Sequence, residues 1–130
     1  MPANNPQQPE KLGEKTLSMR TIVQELGLTL LTQPVDFDNI FPSAGYTSDL
    51  LSCVMASAAK QGIWVTLQAH TNIVAVAALL DLSAVIITED AMPEPPTIQK
   101  ANQEGVVLFA TPRSSFAIAG KLWEMGLRAE

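Results

Sequence analysis

The chain has 130 residues and a mass of 14.0 kDa, the size of one domain. Apolar residues at 47% exclude wholesale disorder, and a formal charge of −5 argues against nucleic acid, whose binding draws on clustered Lys and Arg. A single cysteine and a single histidine exclude an internal disulfide framework and argue against an internal zinc site.

Residues 1–16 are rich in Pro, Asn, Gln, Glu and Lys with no apolar run. They read as a flexible tail rather than a secretory signal, ahead of a single domain over residues 17–130. Ser18 is placed to cap a helix whose stripe is Met19, Ile22, Val23 and Leu26, with Gly27 as its left-handed stop. Residues 28–32 have strand length. Residues 33–44, with Pro34 and Pro42, read as a loop with an edge strand over residues 35–37. Thr47 or Ser48 is expected to cap the next helix, with Asp49 in its first turn and Leu51, Val54, Met55 and Ala58 inward. Gly62 closes that unit and residues 63–67 form a strand. Thr71 or Asn72 caps a helix over residues 73–82, and residues 84–88 form an apolar strand. Pro95 and Pro96 suit a helix start, with Ile98 and Ala101 inward and Gly105 at the end. Residues 106–110 form another strand. Ser114 or Ser115 then caps a last helix with the stripe Phe116, Ala119, Gly120 and Trp123, and Gly126 lies just past its end.

Strands alternating with helices predict an α/β fold: a Rossmann-like layered sandwich with a largely parallel sheet of about five strands flanked by helices. The strands are continuous apolar runs, as expected where helices cover both faces. The longest apolar stretch, residues 73–80, falls far short of the ~20 residues of a membrane span, so the expected location is cytoplasmic.

In such folds ligands gather outside the carboxyl ends of the strands, where helix starts point amide hydrogens at anions. That rule selects Gly45, Tyr46, Thr47 and Ser48; Gln68, His70, Thr71 and Asn72; Thr88; and Thr111, Arg113, Ser114 and Ser115. Helix capping alone accounts for many of the same Ser, Thr and Asn residues. In the ligand reading, Tyr46 or His70 stacks on a base and Arg113 grips a phosphate or carboxylate. His70 with Asp49 or Glu89 would be the catalytic alternative, and Cys53 sits among apolar neighbours as packing. Phosphate-loop, dinucleotide, zinc-protease and nucleophile-elbow signatures are all missing, so no catalytic residue, metal or cofactor is expected. The helix from Ile73 to Leu82 has almost no polar face, Asp81 excepted, and is expected to pair with a second copy as a homodimer.

Several stretches resemble the DRTGG domain: Gly45-Tyr46-Thr47-Ser48-Asp49-Leu50-Leu51-Ser52, Val54-Met55-Ala56, and most specifically Gln68-Ala69-His70-Thr71-Asn72-Ile73-Val74-Ala75-Val76-Ala77. Ala84-Val85-Ile86-Ile87-Thr88, Gly105-Val106 and Thr111-Pro112 fit the same pattern. In place of the naming motif the chain has Phe37-Asp38-Asn39-Ile40 and Pro42-Ser43-Ala44-Gly45, keeping only its last glycine. The family includes domains of CBS-containing pyrophosphatases and is similar to the N-terminal domain of HPr kinase/phosphorylase. The nucleotide-gripping loop of that kinase lies in its other domain and is absent here. The resemblance implies a dimerising α/β domain with a regulatory role, and some stand-alone members accompany hydrogenase-type redox systems of anaerobes. Two functions are therefore expected: a non-catalytic regulatory domain binding a small anionic ligand such as a nucleotide, or an accessory or scaffold protein of a redox complex with no small-molecule ligand.

Overall fold

The computed structural model describes residues 17–129. The tail expected over residues 1–16 lies outside them. The first helix, α1 (Met19–Leu26), starts at Ser18, whose hydroxyl accepts from the Thr21 amide, and ends at Gly27 in the left-handed region (φ 63°). Then follow β1 (Thr29–Leu30), β2 (Gly45–Thr47), α2 (Leu51–Ser57), β3 (Ile63–Thr66), α3 (Asn72–Leu80), β4 (Ala84–Ile87), α4 (Pro95–Glu104), β5 (Leu108–Ala110) and α5 (Ser115–Glu124).

The strands form one sheet in the order β1-β5-β4-β3-β2, parallel except that β1 runs antiparallel to β5. From β2 to β5 each crossover moves one strand in the same direction. Right-handed crossovers of that kind put their helices on one face. Accordingly Val54 of α2, Ile73, Val74 and Ala77 of α3, and Ala101 of α4 pack with Trp64, Val85, Ile87 and Leu108. On the other face Met19, Ile22 and Leu26 of α1 and Ile118 and Leu122 of α5 pack with Ile63, Val65, Ile86 and Phe109. The alternating side chains of β3 and β4 thus feed two cores, and both strands are buried throughout. This is the layered α/β sandwich the sequence predicts.

Several local expectations need correction. The edge strand over residues 35–37 is absent; Phe37–Asn39 is a 3₁₀ turn, held by the Asn39 side-chain amide donating to Asp36 at 2.6 Å while Phe37 is buried against Phe109. Gly45, Tyr46 and Thr47 are a strand, not a helix cap. Gly45 pairs with Ile63 and admits Leu127, whose Cδ2 would lie 3.1 Å from any Cβ there. The helix begins later, at Leu51, with no side-chain cap, and Asp49 lies before it. Of its expected stripe Val54 is buried, Met55 is exposed and Ala58 is past the helix end. Helix α3 stops at Leu80 because Asp81 turns left-handed (φ 54°). On α5 the buried residues are Ile118 and Leu122, whereas Phe116 and Trp123 face outward. Both sets obey helical spacing, and the sheet face selects the pair that reaches Ile63 and Val65.

Candidate functional site

Because β2 to β5 are parallel, their carboxyl ends lie along one edge of the sheet. The four loops that leave this edge are tied together by hydrogen bonds. Beyond β2, Asp49 Oδ1 accepts from the buried Thr66 hydroxyl and from the Leu67 amide, both at 2.8 Å. The Gln68 side chain returns a bond to the Asp49 carbonyl at 3.0 Å, and Ser48 Oγ accepts from the Leu50 amide. The Trp64 indole, fully buried, donates to the Ser48 carbonyl at 2.8 Å. These bonds fasten the β2 exit to the β3 exit.

At the start of α3 the cap is His70. Its Nδ1 accepts from the Asn72 amide at 3.2 Å and its carbonyl from the Ile73 amide, while the Val74 amide goes to the Thr71 carbonyl. Thr71 is the cap position but makes no side-chain cap bond, so the expectation that Thr71 or Asn72 supplies the cap is corrected. His70 and Thr71 line an open cleft of about 510 Å³ together with Ala69, Met92, Glu94, Pro96 and Thr97. That volume falls in the range of small-molecule sites.

The exits of β4 and β5 differ from the rest. The β4 exit leads to α4 on one face and the β5 exit to α5 on the other, the divergence that opens a crevice in α/β sheets. Glu89 occupies it. Glu89 and Asp90 are consecutive left-handed residues (φ 61° and 62°), held there by the Glu89 amide donating to the Arg113 carbonyl and the Asp90 amide to the Thr111 carbonyl. The turn carries Glu89 Oε2 to 2.9 Å from the Ser115 amide at the start of α5, where the helix dipole favours a negative charge. Ser114 Oγ accepts from the Ala117 amide, and the hydroxyls of Thr88 and Ser115 are 2.6 Å apart.

The residues selected from sequence therefore fall into distinct places. His70 and Thr71 line the cleft, and Asn72 is exposed at the first turn of α3. Thr88, Thr111, Ser114 and Ser115 form the network that starts α5, with Thr88 and Thr111 buried and Arg113 exposed. Ser48 and Gln68 brace the β2 exit, and Thr47 is exposed at the end of β2. Gly45 is not at the rim: it lies at the amino end of β2, bonded to the Arg128 carbonyl. Tyr46 is half-buried and packs against the core beneath α2, α3 and α4 rather than standing free to stack on a base. The amides expected to be open at the starts of α3 and α5 are engaged by His70, Glu89 and Ser114.

His70 bonds to neither Asp49 nor Glu89, whose carboxylates are taken up by Thr66, Leu67 and Ser115. Asp49, Glu89, Asp90 and Glu94 outnumber Arg113 along these loops, so the rim is acidic. Among the described residues no three His, Cys, Asp or Glu side chains cluster as a metal site would require. No helix among them is long and apolar enough to cross a membrane. Sequence reading missed the far wall of the cleft, Met92, Glu94, Pro96 and Thr97. The signal available was the proline-dense run Pro93, Pro95 and Pro96 between a strand and the next helix, which stiffens the entry to α4.

No protein-family model and no curated protein matches the sequence. Among solved structures, the chain is similar to the CBS and DRTGG domains of the regulatory region of Clostridium perfringens pyrophosphatase, solved with the activator diadenosine tetraphosphate. The TM-score is 0.68 at 18% identity, covering 85% of this chain and 47% of that one. The chain thus spans about half the length of that neighbour, and its fold is DRTGG-like.

Proposed function

We propose that the chain is a non-catalytic regulatory domain that binds a small anionic ligand, a nucleotide foremost, at the carboxyl ends of its strands. The observation that carries this reading is the start of α5, where an amide at a helix N-terminus already holds a carboxylate, Glu89, in the crevice between diverging loops. In this reading the ligand's phosphate replaces the Glu89 carboxylate beside Arg113, and its base lies in the cleft next to His70 and Thr71. The two places are two strands apart, roughly 10 Å along the sheet, and flank opposite faces, so the ligand would span them across the strand ends. The likeness to a regulatory region that was solved with a nucleotide activator supports the same reading.

The test is thermal unfolding with AMP, ATP and diadenosine tetraphosphate. A ligand at 100 times its dissociation constant adds about 2.7 kcal/mol. Glu89→Gln removes the competing charge and is expected to tighten binding severalfold. No stabilisation by any of the three would overturn the proposal.

The domain acts, in this proposal, as a homodimer through α3. Neither α2 nor α3 contains a charged residue, and Ala75, Ala78 and Leu79 are exposed, Leu79 at 69%. An uncharged face suits an identical, twofold-related face in an acidic protein. A second reading, an accessory protein of a redox complex, is favoured by apolar residues that are exposed away from α3, Phe116 above all.

A further inference from the structure

The outward side of α5 differs in chemistry from the rest of the molecule. Phe116 is 91% exposed and Trp123 is 56% exposed, with Gly120 between them on the same helical stripe. Seven residues of helix set the two rings roughly 10 Å apart along the axis. Leaving a large apolar side chain in water forgoes roughly 2 kcal/mol that burial would supply. Two such residues on one stripe are a standing incentive for something to cover them.

The local charge is reversed as well. Along α5 the cations Arg113, Lys121 and Arg128 meet two carboxylates, Glu124, which lies 4.0 Å from Lys121, and Glu89 at the helix start, in a chain whose net charge is −5. Arg128 is held in place: its guanidinium lies 4.2 Å from the Trp123 ring centroid, and Nη1 donates to the Trp123 carbonyl at 2.7 Å and the Leu127 carbonyl at 3.3 Å. A stacked, hydrogen-bonded arginine beside an exposed tryptophan is the composition of an interface hot spot.

We propose that this face of α5 docks an acidic, apolar segment of a partner protein. Two apolar side chains of the segment, about 10 Å apart, cover Phe116 and Trp123, and its carboxylates meet Arg113 and Arg128. Charge complementarity selects this occupant. A second copy laid α5 to α5 brings like cations together. An extended anionic bilayer meets the net negative field of the whole chain. A short acidic segment senses mainly charges within a Debye length, about 8 Å, and along α5 three cations stand against two carboxylates, Glu89 and Glu124. The surface is on the opposite layer from α3 and shares no residue with the lining of the cleft; it deepens the partner-protein reading and has Arg113 in common with the ligand reading, so the substitutions that test it are placed at Phe116 and Trp123.

The test is selection of short phage-displayed peptides on the full chain, with a Phe116→Ser/Trp123→Ser double variant as counter-screen. Enriched peptides are expected to pair aromatic or leucine residues with Asp and Glu. As synthetic peptides they should bind the double variant about tenfold more weakly, as for hot-spot truncation, and weaken on raising salt. They should also shift Trp123 emission, the other tryptophan, Trp64, being buried. If the double variant fails to fold, Phe116→Ser alone serves. The proposal is overturned by no enrichment, by neutral or basic winners, or by peptides that ignore the substitutions. Flotation with phosphatidylserine vesicles that depends on Phe116, or self-association of the wild type abolished by Phe116→Ser, would overturn it equally.

Discussion

Asp49 is a side chain whose type was legible and whose partner was not. Read along the chain, Ser48-Asp49 looks like the cap and first turn of a helix. In the fold its carboxylate instead joins the exits of β2 and β3 through Thr66 and Leu67. Asp49→Ala leaves the fully buried Thr66 hydroxyl without its acceptor and is expected to cost about 2 kcal/mol, measurable by urea denaturation. Asp49→Asn, which keeps an acceptor oxygen, should cost less. His70→Ala should remove the α3 cap and lower stability by about 1 kcal/mol, or about 4 °C in Tm, without disturbing the sheet. Glu89 follows the same logic, since its partner Ser115 lies beyond the whole of α4 and β5. Single-chain reading locates polar residues at strand ends. Which of them bond to each other is decided by loops that become neighbours only when the sheet assembles.

At the level of elements, among the described residues periodicity located every α-helix, and apolar runs located four of the five strands. The strand missed was β2, three residues long with Gly, Tyr and Thr rather than an apolar run. Its strand character comes from pairing with β3, which no local signal announces. Helix α5 shows a second limit. Its two stripes are equally periodic, and the one with the larger, aromatic side chains, Phe116 and Trp123, faces out. Ile118→Ala is expected to cost about 3 kcal/mol through lost burial and a cavity, and Phe116→Ala less than about 0.5 kcal/mol. Equal losses in denaturant melts would mean that the helix turns Phe116, not Ile118, toward the sheet. For α3 the corresponding experiment is Leu79→Glu, which should leave the fold unchanged while turning the proposed dimer into monomers in sedimentation velocity.

For the molecule as a whole, layer order was readable from the alternation of strands and helices, because crossover handedness leaves few arrangements. The antiparallel placement of β1 against β5 was not, since Thr29 and Ala110 are distant in sequence and meet at one sheet edge. The sheet should be most resistant at its centre. Amide exchange is expected to be slowest across Val85, Ile86 and Ile87 of β4, which are fully buried between two paired neighbours, and orders of magnitude faster in the edge strand β2. Comparable rates would contradict this hierarchy. The same closing contact has a cost during synthesis. A ribosome adding about 5–20 residues per second emits Thr29 several seconds before Ala110. Through that interval Met19, Ile22 and Leu26 lack Phe109, Ile118 and Leu122 to lie against, which makes the nascent α1 a natural client for a chaperone waiting at the exit tunnel.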